Sequence, residues 1–326
     1  MLEYVIIGAA QSGLSMAYHL NRSKKDFLIV DGSDRIGASW LNRWDSLKLF
    51  TPTEYNHLPG LEFDAPRGYY PNKKDVAHYF ESYVAHYNIP IQFNTLITSV
   101  TRNSNGYFSL KHKNGQIETK NVIVATGPFH IPYTPAFHTK ITEDTLQVHS
   151  NYYKSLSQLN DGDTLVVGAG DSGYQILDEV SKDDSRVVYF SGKTNVKSLP
   201  QSFMGKSLWW WFTKIGFLKF NKFSRIGKLL KSIPQPVIGT DVDEILGREN
   251  VIPVGRTKNA LGKDLFFDKA KVSSIKNIIW ATGYKPNFKW IEGLEFDEDG
   301  YPKNYKGVSN VEGVYFIGLP WMFTRG

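Results

Sequence analysis

The stretch Tyr4-Val5-Ile6-Ile7-Gly8-Ala9-Ala10-Gln11-Ser12-Gly13 decides the fold, and a helical pattern and then Phe27-Leu28-Ile29-Val30-Asp31 follow it. This order predicts a strand, a tight glycine turn, a helix and a second strand. Gly8 permits the sharp turn, the small Ala10 lets a pyrophosphate come close, and Gly13 lets the helix pack on the strand. The N-terminus of the helix would then face the phosphates.

An acidic residue closes this unit. Asp31 lies 18 residues after Gly13, at the end of the second predicted strand, where a carboxylate can accept hydrogen bonds from an adenosine ribose. The alternative is an ordinary aspartate at the start of a loop, and we favour the ribose contact. Gln11 and Ser12 open the helix and Gly32 follows the acid, so we expect all three beside the same nucleotide.

A second copy of the pattern strengthens the interpretation. Alone, a G-x-A-x-x-G turn with alanine in the middle is equally compatible with a plain strand-to-helix turn. Leu165-Val166-Val167-Gly168-Ala169-Gly170-Asp171-Ser172-Gly173 has the full G-x-G-x-x-G pattern, again between an apolar strand and a helical pattern. Two such units in one chain imply two bound dinucleotides. The residues predicted to form the second site are Gly168, Gly170, Asp171, Ser172 and Gly173.

Two A-T-G strands extend the duplication. Ile123-Val124-Ala125-Thr126-Gly127 lies 114 residues after Gly13 at its last glycine, and Ile279-Trp280-Ala281-Thr282-Gly283 lies 110 after Gly173. We therefore predict an α/β protein with two Rossmann-like domains, each with a mostly parallel sheet and a small antiparallel meander. The residues expected to close the two sites are Ala125, Thr126, Gly127, Ala281, Thr282 and Gly283.

The order of these motifs predicts an insertion. Because the strand Gly313-Val314-Tyr315-Phe316-Ile317-Gly318 follows the second A-T-G, the second domain is expected to interrupt the first. The predicted divisions are residues 1–160 and 286–326 for the first domain and residues 161–285 for the second. Residues 76–87 have the spacing of an amphipathic helix, and residues 91–100, 107–111 and 117–124 alternate like strands of a meander.

Composition restricts the class of protein. The chain has 326 residues and is 41% hydrophobic, which suits two globular domains. It contains no cysteine, which excludes disulfides, cysteine-ligated zinc, iron–sulfur clusters and a redox-active C-x-x-C. We predict no metal site. The first strand begins without a basic and apolar leader, and no apolar run reaches about 18 residues, so a cytoplasmic protein is expected.

The positive charge is local. The formal net charge is +6, but residues 203–233 contain seven basic residues and no acid, so the rest of the chain is close to neutral. A basic surface spread over the fold, as in nucleic-acid-binding proteins, is therefore not expected. The seven basic residues are Lys206, Lys214, Lys219, Lys222, Arg225, Lys228 and Lys231.

Together the motifs resemble the flavin-containing monooxygenase superfamily, with its bacterial CzcO-like branch and the related plant YUCCA enzymes. The resemblance rests on both fingerprints, both A-T-G strands and the stretches Gly37-Ala38-Ser39-Trp40, Asp45-Ser46-Leu47-Lys48-Leu49-Phe50-Thr51-Pro52, Leu58-Pro59-Gly60 and Gly318-Leu319-Pro320-Trp321. It implies FAD in the first domain and NADPH in the second. The further residues it implies at the FAD site are Ser39, Trp40, Leu49, Thr51, Val100 and Gly318.

One superfamily signature is only partly kept. In F-x-G-x-x-x-H-S-x-x-Y, His149, Ser150 and Tyr153 match, but Glu143 and Thr145 stand where Phe and Gly are expected. No catalytic residue is assigned from the sequence.

The basic segment is also aromatic. Residues 203–233 contain Trp209-Trp210-Trp211-Phe212 and four further phenylalanines among the lysines, a composition that is compatible with a membrane surface. The alternative is that the aromatic side chains cover a substrate channel while the lysines stay solvated. From the sequence we favour the channel cover and expect no membrane contact.

The second fingerprint lacks the acid of the first. Counting 18 residues from Gly173 gives Ser191 instead of an aspartate, so a 2′-phosphate would not be repelled there. Lys193 and Lys197 follow on the loop, where the resemblance implies a cation at the 2′-phosphate. A lysine gives a point charge without the fork of an arginine, so we expect a moderate preference for NADPH over NADH. The alternative is two solvated surface lysines.

The sequence thus predicts an NADPH-dependent, FAD-containing monooxygenase. The resemblance implies transfer of one oxygen atom from O₂, through a flavin hydroperoxide, to a small organic nucleophile or carbonyl. Two alternatives stay open, namely an NADPH:FAD reductase or oxidase without oxygen transfer, and a dinucleotide-sensing regulator of ion transport. A homodimer is possible in each case.

Overall fold

The computed structural model describes residues 2–233, 236–268 and 270–323. The helices are α1 Gln11–Arg22, α2 Ala38–Leu41, α3 Lys73–Tyr87, α4 Asp171–Val180, α5 Leu208–Lys214, α6 Arg225–Ser232 and α7 Val242–Leu246. The strands are β1 Leu2–Ile7, β2 Phe27–Val30, β3 Ile91–Gln92, β4 Ile97–Arg102, β5 Phe108–His112, β6 Gly115–Val124, β7 Ile131–Pro132, β8 Leu146–His149, β9 Thr164–Val167, β10 Val188–Ser191, β11 Ser198–Leu199, β12 Ser202–Phe203, β13 Lys206–Ser207, β14 Val237–Ile238, β15 Val251–Pro253, β16 Thr257–Leu261, β17 Asp264–Phe267, β18 Lys271–Ser273, β19 Asn277–Trp280, β20 Tyr284–Lys285, β21 Asn304–Tyr305, β22 Val308–Ser309 and β23 Val314–Phe316. Short 3₁₀ turns cover Thr53–Tyr55, Ala136–Lys140, Leu156–Gln158 and Phe217–Lys219.

The first sheet is built around β1. Its order is β21-β22-β23-β6-β1-β2-β3, with β1, β2, β3, β6 and β23 running parallel. Strands β4, β5 and β6 form the predicted antiparallel meander. The carboxyl ends of β1 and β2 therefore lie side by side, and this is the edge where a doubly wound sheet binds its ligand.

The second sheet repeats the arrangement around β9. Its order is β15-β10-β9-β19-β8, and all these strands run parallel. An antiparallel meander of β16, β17 and β18 accompanies it. The predicted fold class, two Rossmann-like units each with a meander, is confirmed.

The chain passes from one sheet to the other and back. β7 pairs with β20 in an antiparallel ribbon between the sheets, and β23 then returns to the first sheet beside β6. β8 belongs to the second sheet although it precedes residue 161. The division into domains stays a prediction. Because β8 pairs within the second sheet, we place the point where the chain first passes from the first sheet to the second before Leu146.

Residues 91–100 form two strands instead of one. β3 pairs in parallel with β2, and β4 starts the meander, with Asn94 at a φ of 54° between them. The backbone N–H groups of Asn94 and Thr95 donate to the carbonyls of Ser33 and Asp31, at 2.7 and 2.8 Å. This link holds residues 94–95 beside the end of β2.

Helix α3 closes the first domain over α1. Asn72 and Asp75 form a capping box at its start, which satisfies N–H groups that would otherwise be unpaired. Its buried face includes Tyr79 and Tyr83, whose hydroxyls donate to the carbonyls of Leu61 and Pro59 at 2.7 and 2.6 Å. The helix thereby fixes residues 58–61 against the sheet.

The two helices of the basic segment, residues 203–233, differ in how they pack. In α5, Trp209 donates its indole N–H to the carbonyl of Phe50 at 3.1 Å and stacks on the Phe50 ring. In α6, by contrast, Ile226 and Leu229 are 50% and 60% exposed. Among the described residues, no helix is long and apolar enough to cross a bilayer.

Candidate functional site

The backbone of the first glycine turn is closely packed against its neighbours. The backbone of Gly8 donates to the carbonyl of Val30 at 2.9 Å, and a Cβ added at Gly8 would lie 2.7 Å from the carbonyl oxygen of Ala125. A Cβ at Gly13 would lie 1.9 Å from the carbonyl oxygen of Gly8. Both positions therefore require glycine, because the helix and the A-T-G strand approach the turn too closely for a side chain.

The second turn has the same geometry. Gly168 donates to the carbonyl of Ser191 at 2.9 Å, and an added Cβ would lie 2.1 Å from the carbonyl oxygen of Ala281. A Cβ at Gly173 would lie 2.0 Å from the carbonyl oxygen of Gly168. Each fingerprint is thus closed by its own A-T-G strand, in the pairing that the sequence predicted.

The middle position of the second fingerprint is open. Around Gly170 no described atom lies within 4 Å of an added Cβ, and its φ of −91° is accessible to any residue. The structure therefore does not itself demand glycine there. The free space lies at the N-cap of α4, where a phosphate would sit on the helix N-terminus.

The two fingerprint helices start without side-chain caps. The N-caps of α1 and α4, Ala10 and Gly170, make no side-chain hydrogen bond, whereas side chains cap α3, α5, α6 and α7. Uncapped N–H groups at a helix start carry partial positive charge and need acceptors. Both starts consequently fit the pyrophosphate of a dinucleotide.

Asp31 stands at the first of these starts. Its carboxylate accepts from the backbone N–H of Ala9 at 2.7 Å and of Ser33 at 2.8 Å, and the Ser33 hydroxyl also donates to it. The carboxylate is half-buried and keeps lone pairs free for further donors. It is therefore fixed in a position from which it can accept ribose hydroxyls.

A cavity of about 600 Å³ lies over the first fingerprint. The predicted residues that line it are Gly8, Ala10, Asp31, Gly32, Ser39, Ala125 and Thr126. The lining that the sequence did not predict includes Arg35, residues 95–98, Phe129, His130, Asn287 and Trp290. Residues 95–98 reach it because the backbone break at Asn94 turns them over the end of β2.

Several predicted residues lie beside the cavity instead of on its wall. Trp40 directs its indole N–H to the side-chain carbonyl of Gln11 at 3.4 Å, and an added Cβ at Gly318 would lie 2.2 Å from the Ser12 hydroxyl. Gly318 thus packs directly on the start of α1.

Leu49 and Thr51 belong to a loop whose backbone is held by hydrogen bonds to nearby residues. Leu49 donates its N–H to the carbonyl of Pro71 at 2.8 Å, and the side chain of Asn56 donates to the carbonyl of Thr51 at 2.8 Å. The same loop carries Phe50, on which Trp209 stacks.

Val100 has no group to offer a cofactor. Its side chain is 1% exposed in the core, its N–H donates to the carbonyl of Trp290 at 2.8 Å, and its carbonyl accepts from Glu292 at 3.0 Å. Thr98, two residues earlier in the chain, lines the cavity instead.

The A-T-G turns match each other as well. Gly127 and Gly283 have φ values of 70° and 80° with open space around them. The Thr126 hydroxyl contacts the imidazole of His130 at 3.0 Å, and the Thr282 hydroxyl donates to the carbonyl of Tyr133. Both threonines thereby contact residues 130–133, on the segment by which the chain leaves the first sheet.

At the second site, Ser191 is engaged within the fold. Its hydroxyl is buried, contacts the Thr257 hydroxyl at 2.7 Å and accepts from the Thr257 N–H at 2.9 Å. Lys193 is exposed, and its carbonyl accepts from the Tyr174 hydroxyl at 2.6 Å. Asp171 accepts from the N–H of Ile238 at 3.3 Å, and burial raises the pKa of its carboxyl. Of these side chains, Lys193 is exposed, Asp171 is half-buried and Ser191 is buried.

A polar cluster joins the two domains near the crossing. The Arg43 guanidinium donates to the Tyr284 hydroxyl at 2.6 Å and lies over the rings of Phe129 and Tyr284. The Tyr284 hydroxyl donates to the side-chain carbonyl of Asn151 at 3.1 Å. This cluster borders the cavity through Phe129 and fixes the angle at which the second domain meets the first.

The loop that carries Arg43 is held from behind by a buried lysine. The Lys73 ammonium donates to the carbonyls of Leu41 and Arg43, at 3.2 and 2.7 Å, and to the Asp45 carboxylate at 2.7 Å. The hydrogen bond from Lys73 holds the pKa of the Asp45 carboxyl below its usual range. Ser46 then donates to Glu179 on α4, so this motif ties one domain to the other.

Two histidines, the buried His149 and the half-buried His130, are held as neutral rings. Nδ1 of His149 accepts from the N–H of Asn151 at 3.0 Å, so Nε2 is the donor to the carbonyl of Gly283. Nδ1 of His130 likewise accepts from the N–H of Asn287 at 2.9 Å. Burial lowers the pKa of both imidazoles below the ordinary value of 6.5.

These histidines predict a loss of stability in mild acid. Because their folded pKa lies below the unfolded value, the unfolded chain takes up protons first, and stability falls as the pH drops from about 7 towards about 5. Thermal unfolding at a series of pH values measures the slope of Tm in this range. His149→Gln cannot take up a proton and should flatten the slope.

The control for this measurement is His57→Gln, since His57 is exposed. It should leave the slope of Tm unchanged. Equal slopes for all three proteins would show that the buried rings do not control the acid response.

Within the described residues, no group of three or more His, Asp or Glu is arranged to hold a metal ion.

Comparisons with known proteins agree with this geometry. Residues 5–206 match the family described as pyridine nucleotide-disulphide oxidoreductase. An oxidoreductase described as CzcO-like from Geobacillus kaustophilus is 38% identical over 100% of this chain and 93% of the relative. The probable indole-3-pyruvate monooxygenase YUCCA1 of Arabidopsis thaliana is 29% identical over 98% of this chain and 84% of that protein.

Solved structures share the fold. A flavin-containing monooxygenase from Stenotrophomonas maltophilia superposes with a TM-score of 0.77 at 23% identity, covering 98% of this chain and 91% of that one. A cyclohexanone monooxygenase from Rhodococcus sp. Phi1, solved with NADP+, gives 0.72 at 14% identity, covering 98% and 80%. The resemblance read from the motifs is confirmed, and the chain belongs to the pyridine nucleotide-disulphide oxidoreductase family.

Proposed function

We propose that the protein is an NADPH-dependent, FAD-containing monooxygenase that transfers one oxygen atom from O₂ to a small organic nucleophile or carbonyl. The observation that carries the proposal is the pair of glycine turns, each at an uncapped helix start and each closed by its own A-T-G strand. Monooxygenases among the relatives and structural neighbours support it. When bound, FAD would supply hydride acceptance and the activation of O₂.

The first site would hold FAD through backbone and carboxylate groups. The N–H groups at the start of α1 would receive the pyrophosphate, and Asp31 would accept the ribose hydroxyls. Gly8 and Gly13 let the backbone come close enough for these contacts. Phe129 and Trp290 line the same cavity and would contact the bound cofactor.

The second site would hold NADPH in the same manner. The start of α4 and the open space at Gly170 would receive its pyrophosphate. The exposed Lys193 would meet the 2′-phosphate. The Arg43 and Tyr284 cluster would hold the two domains so that the nicotinamide and the flavin face each other, and proximity of this kind is a major part of catalysis.

Oxygen transfer can be tested with isotopically labelled O₂. The purified protein, reconstituted with FAD, is incubated with NADPH and with a dialkyl sulfide, a tertiary amine or a cyclic ketone as probe. We expect oxidation of NADPH, incorporation of the label into the product of at least one probe, and less hydrogen peroxide than NADPH consumed.

Other results would point elsewhere. Oxidation of NADPH with an equal yield of peroxide and no label in any product would indicate an oxidase or reductase. Binding of both nucleotides without NADPH oxidation would indicate a regulator. Either result would overturn the monooxygenase proposal.

Nucleotide preference provides a prediction at Lys193. Losing a charged hydrogen bond costs about 1.5 to 3 kcal/mol, so Lys193→Ala is expected to raise KM for NADPH roughly ten- to a hundredfold. KM for NADH should change little, because NADH has no 2′-phosphate. Steady-state oxidation of both nucleotides measures the change.

The neighbouring exposed lysine gives the matched control. Lys197 lies on the same loop, and its backbone carbonyl accepts from Val237 at 3.0 Å. Lys197→Ala should leave KM for NADPH within about twofold, a change of under about 0.5 kcal/mol. Equal efficiency of the unmodified protein with NADPH and NADH would contradict the assignment of Lys193.

A further inference from the structure

Helix α6 leaves an apolar face in solvent. Ile226 and Leu229 lie one turn apart on one face and are 50% and 60% exposed, and Ile233, which follows the last helical residue, is 50% exposed. The preceding Phe223 is 51% exposed. Amphipathic helices normally bury such a face against a core, so this one calls for a partner outside the fold.

The opposite side of α6 is anchored. The Ser224 hydroxyl caps the helix by accepting from the N–H of Gly227 at 3.0 Å. Gly227 is buried, and a Cβ there would lie 2.0 Å from the carbonyl oxygen of Asn221. Gly227 therefore packs on the turn that immediately precedes the helix, and Ile226 and Leu229 lie on the other side of the helix.

A second, distant segment meets the same surface. The ring of Phe223 lies 6.1 Å from that of Tyr305 on the β21–β22 hairpin, where Tyr305 and Val308 are 60% and 53% exposed. Lys306 lies between them in sequence, with its ammonium 5.5 Å from the Tyr305 ring. We call Phe223, Ile226, Leu229, Ile233, Tyr305 and Val308 together the α6 surface.

The two segments that form the α6 surface carry charges of one sign. Arg225 and Lys228 are exposed on α6, and Lys306 flanks the hairpin. Neither residues 203–233 nor residues 303–308 contain an aspartate or glutamate. Two segments far apart in the chain thus meet in a surface that combines exposed apolar side chains with cations alone.

This charge pattern decides between partners. In a symmetric dimer through the α6 surface, the same cations would face each other, and like charges oppose such contacts. An anionic bilayer offers an apolar interior for the exposed apolar side chains and negatively charged headgroups for the cations. We propose that the α6 surface docks the protein on membranes that contain anionic phospholipids.

The exposed apolar face of α6 favours membrane docking over the channel cover that the sequence analysis favoured. Trp209 of α5 does pack on Phe50, beside the loop expected along the flavin. The apolar face of α6 makes no comparable contact with that loop among the described residues. The two helices of the basic segment therefore have different roles.

Vesicle binding tests the proposal directly. The full chain is sedimented with vesicles of phosphatidylglycerol and phosphatidylcholine in equal parts, and with vesicles of phosphatidylcholine alone. We expect binding to the anionic vesicles at low salt, little binding to the neutral ones, and strong loss of binding at about 0.5 M NaCl, where charges are screened.

Two pairs of substitutions address the two components. Arg225→Gln with Lys228→Gln should weaken binding roughly 25-fold, at about fivefold for each cation near the membrane. Ile226→Ser with Leu229→Ser should weaken it at least tenfold, since the inserted apolar area is lost. All four side chains are exposed, so the variants should keep the Tm of the unmodified protein.

Matched controls lie on other parts of the chain. Leu261→Ser removes an apolar side chain that is 68% exposed, and Lys113→Gln with Lys120→Gln removes two exposed lysines. These variants should bind vesicles like the unmodified protein. No binding to anionic vesicles at low salt, or equal losses in the α6 and control variants, would overturn the proposal. So would equally tight binding to soluble polyglutamate that the serine variants leave unchanged, because the partner would then be an acidic protein.

Discussion

Gly173→Ala is expected to destabilise the fold, whereas Gly170→Ala, three residues earlier, is expected to leave it intact. A Cβ at Gly173 would lie 2.0 Å from the carbonyl oxygen of Gly168, and this backbone atom can move only if α4 separates from β9. Overpacking of this kind costs about 1 to 3 kcal/mol or more, which for a chain of this length corresponds to a fall in Tm of roughly 2 to 5 °C or more. Thermal unfolding measures it.

At Gly170 the same methyl group meets nothing within 4 Å. Tm should therefore change by less than about 1 °C, as for a surface substitution. If the open space receives the pyrophosphate, as proposed, the methyl group occupies room that the ligand needs, and KM for NADPH should rise roughly ten- to a hundredfold.

The pair separates structure from binding. Equal falls in Tm for both variants would show that the added Cβ at Gly170 is not tolerated by the fold. An unchanged KM for NADPH in a stable Gly170→Ala protein would remove the pyrophosphate from this position. The folding result for Gly173 does not depend on the proposed function.

The sequence predicted the two glycine turns because their determinants are local. A glycine turn between an apolar strand and a helix specifies its own geometry, so Gly8, Gly13, Gly168 and Gly173 could be assigned from spacing alone. The A-T-G pairing was accessible because the whole unit is repeated.

The sequence did not reveal contacts between distant segments. The Ser191 hydroxyl is occupied by Thr257, and the Arg43 guanidinium by Tyr284, and neither partner is marked by spacing or periodicity. Val100 was expected at the cofactor but lies in the core, because the chain breaks at Asn94 and turns its neighbours outward instead. Such positions depend on how the sheets pack, which no local pattern encodes.

Exposure is likewise a property of the folded chain. The composition of residues 203–233 was compatible with a channel cover and with a membrane surface, and both need apolar and basic residues. Packing distinguishes them, since α5 contacts Phe50 while Ile226 and Leu229 of α6 stay half-exposed. The same residues in sequence therefore divide into two surfaces.

Asp31→Ala is expected to weaken FAD binding by roughly tenfold or more, and up to about a thousandfold. A carboxylate that accepts ribose hydroxyls makes charged hydrogen bonds of about 1.5 to 3 kcal/mol each. The substitution also removes the acceptor for the N–H of Ala9, which lies within the glycine turn. The dissociation constant is measured by adding FAD to the apoprotein and following the quenching of flavin fluorescence.

A nearby acid serves as the control. Asp34 is exposed on the same loop, and it is not among the residues that line the cavity. Asp34→Ala removes the same charge three residues further along the chain and should leave FAD affinity within about twofold, as expected for a screened surface charge. Asp31→Asn keeps part of the bracing, because its amide oxygen can still accept from Ala9, but its NH2 group cannot accept from the N–H of Ser33 or from ribose hydroxyls. Asn at this position should therefore lower Tm less than Ala does and still lose FAD affinity. Unchanged FAD affinity in folded Asp31→Ala and Asp31→Asn proteins would mean that the carboxylate only braces the turn.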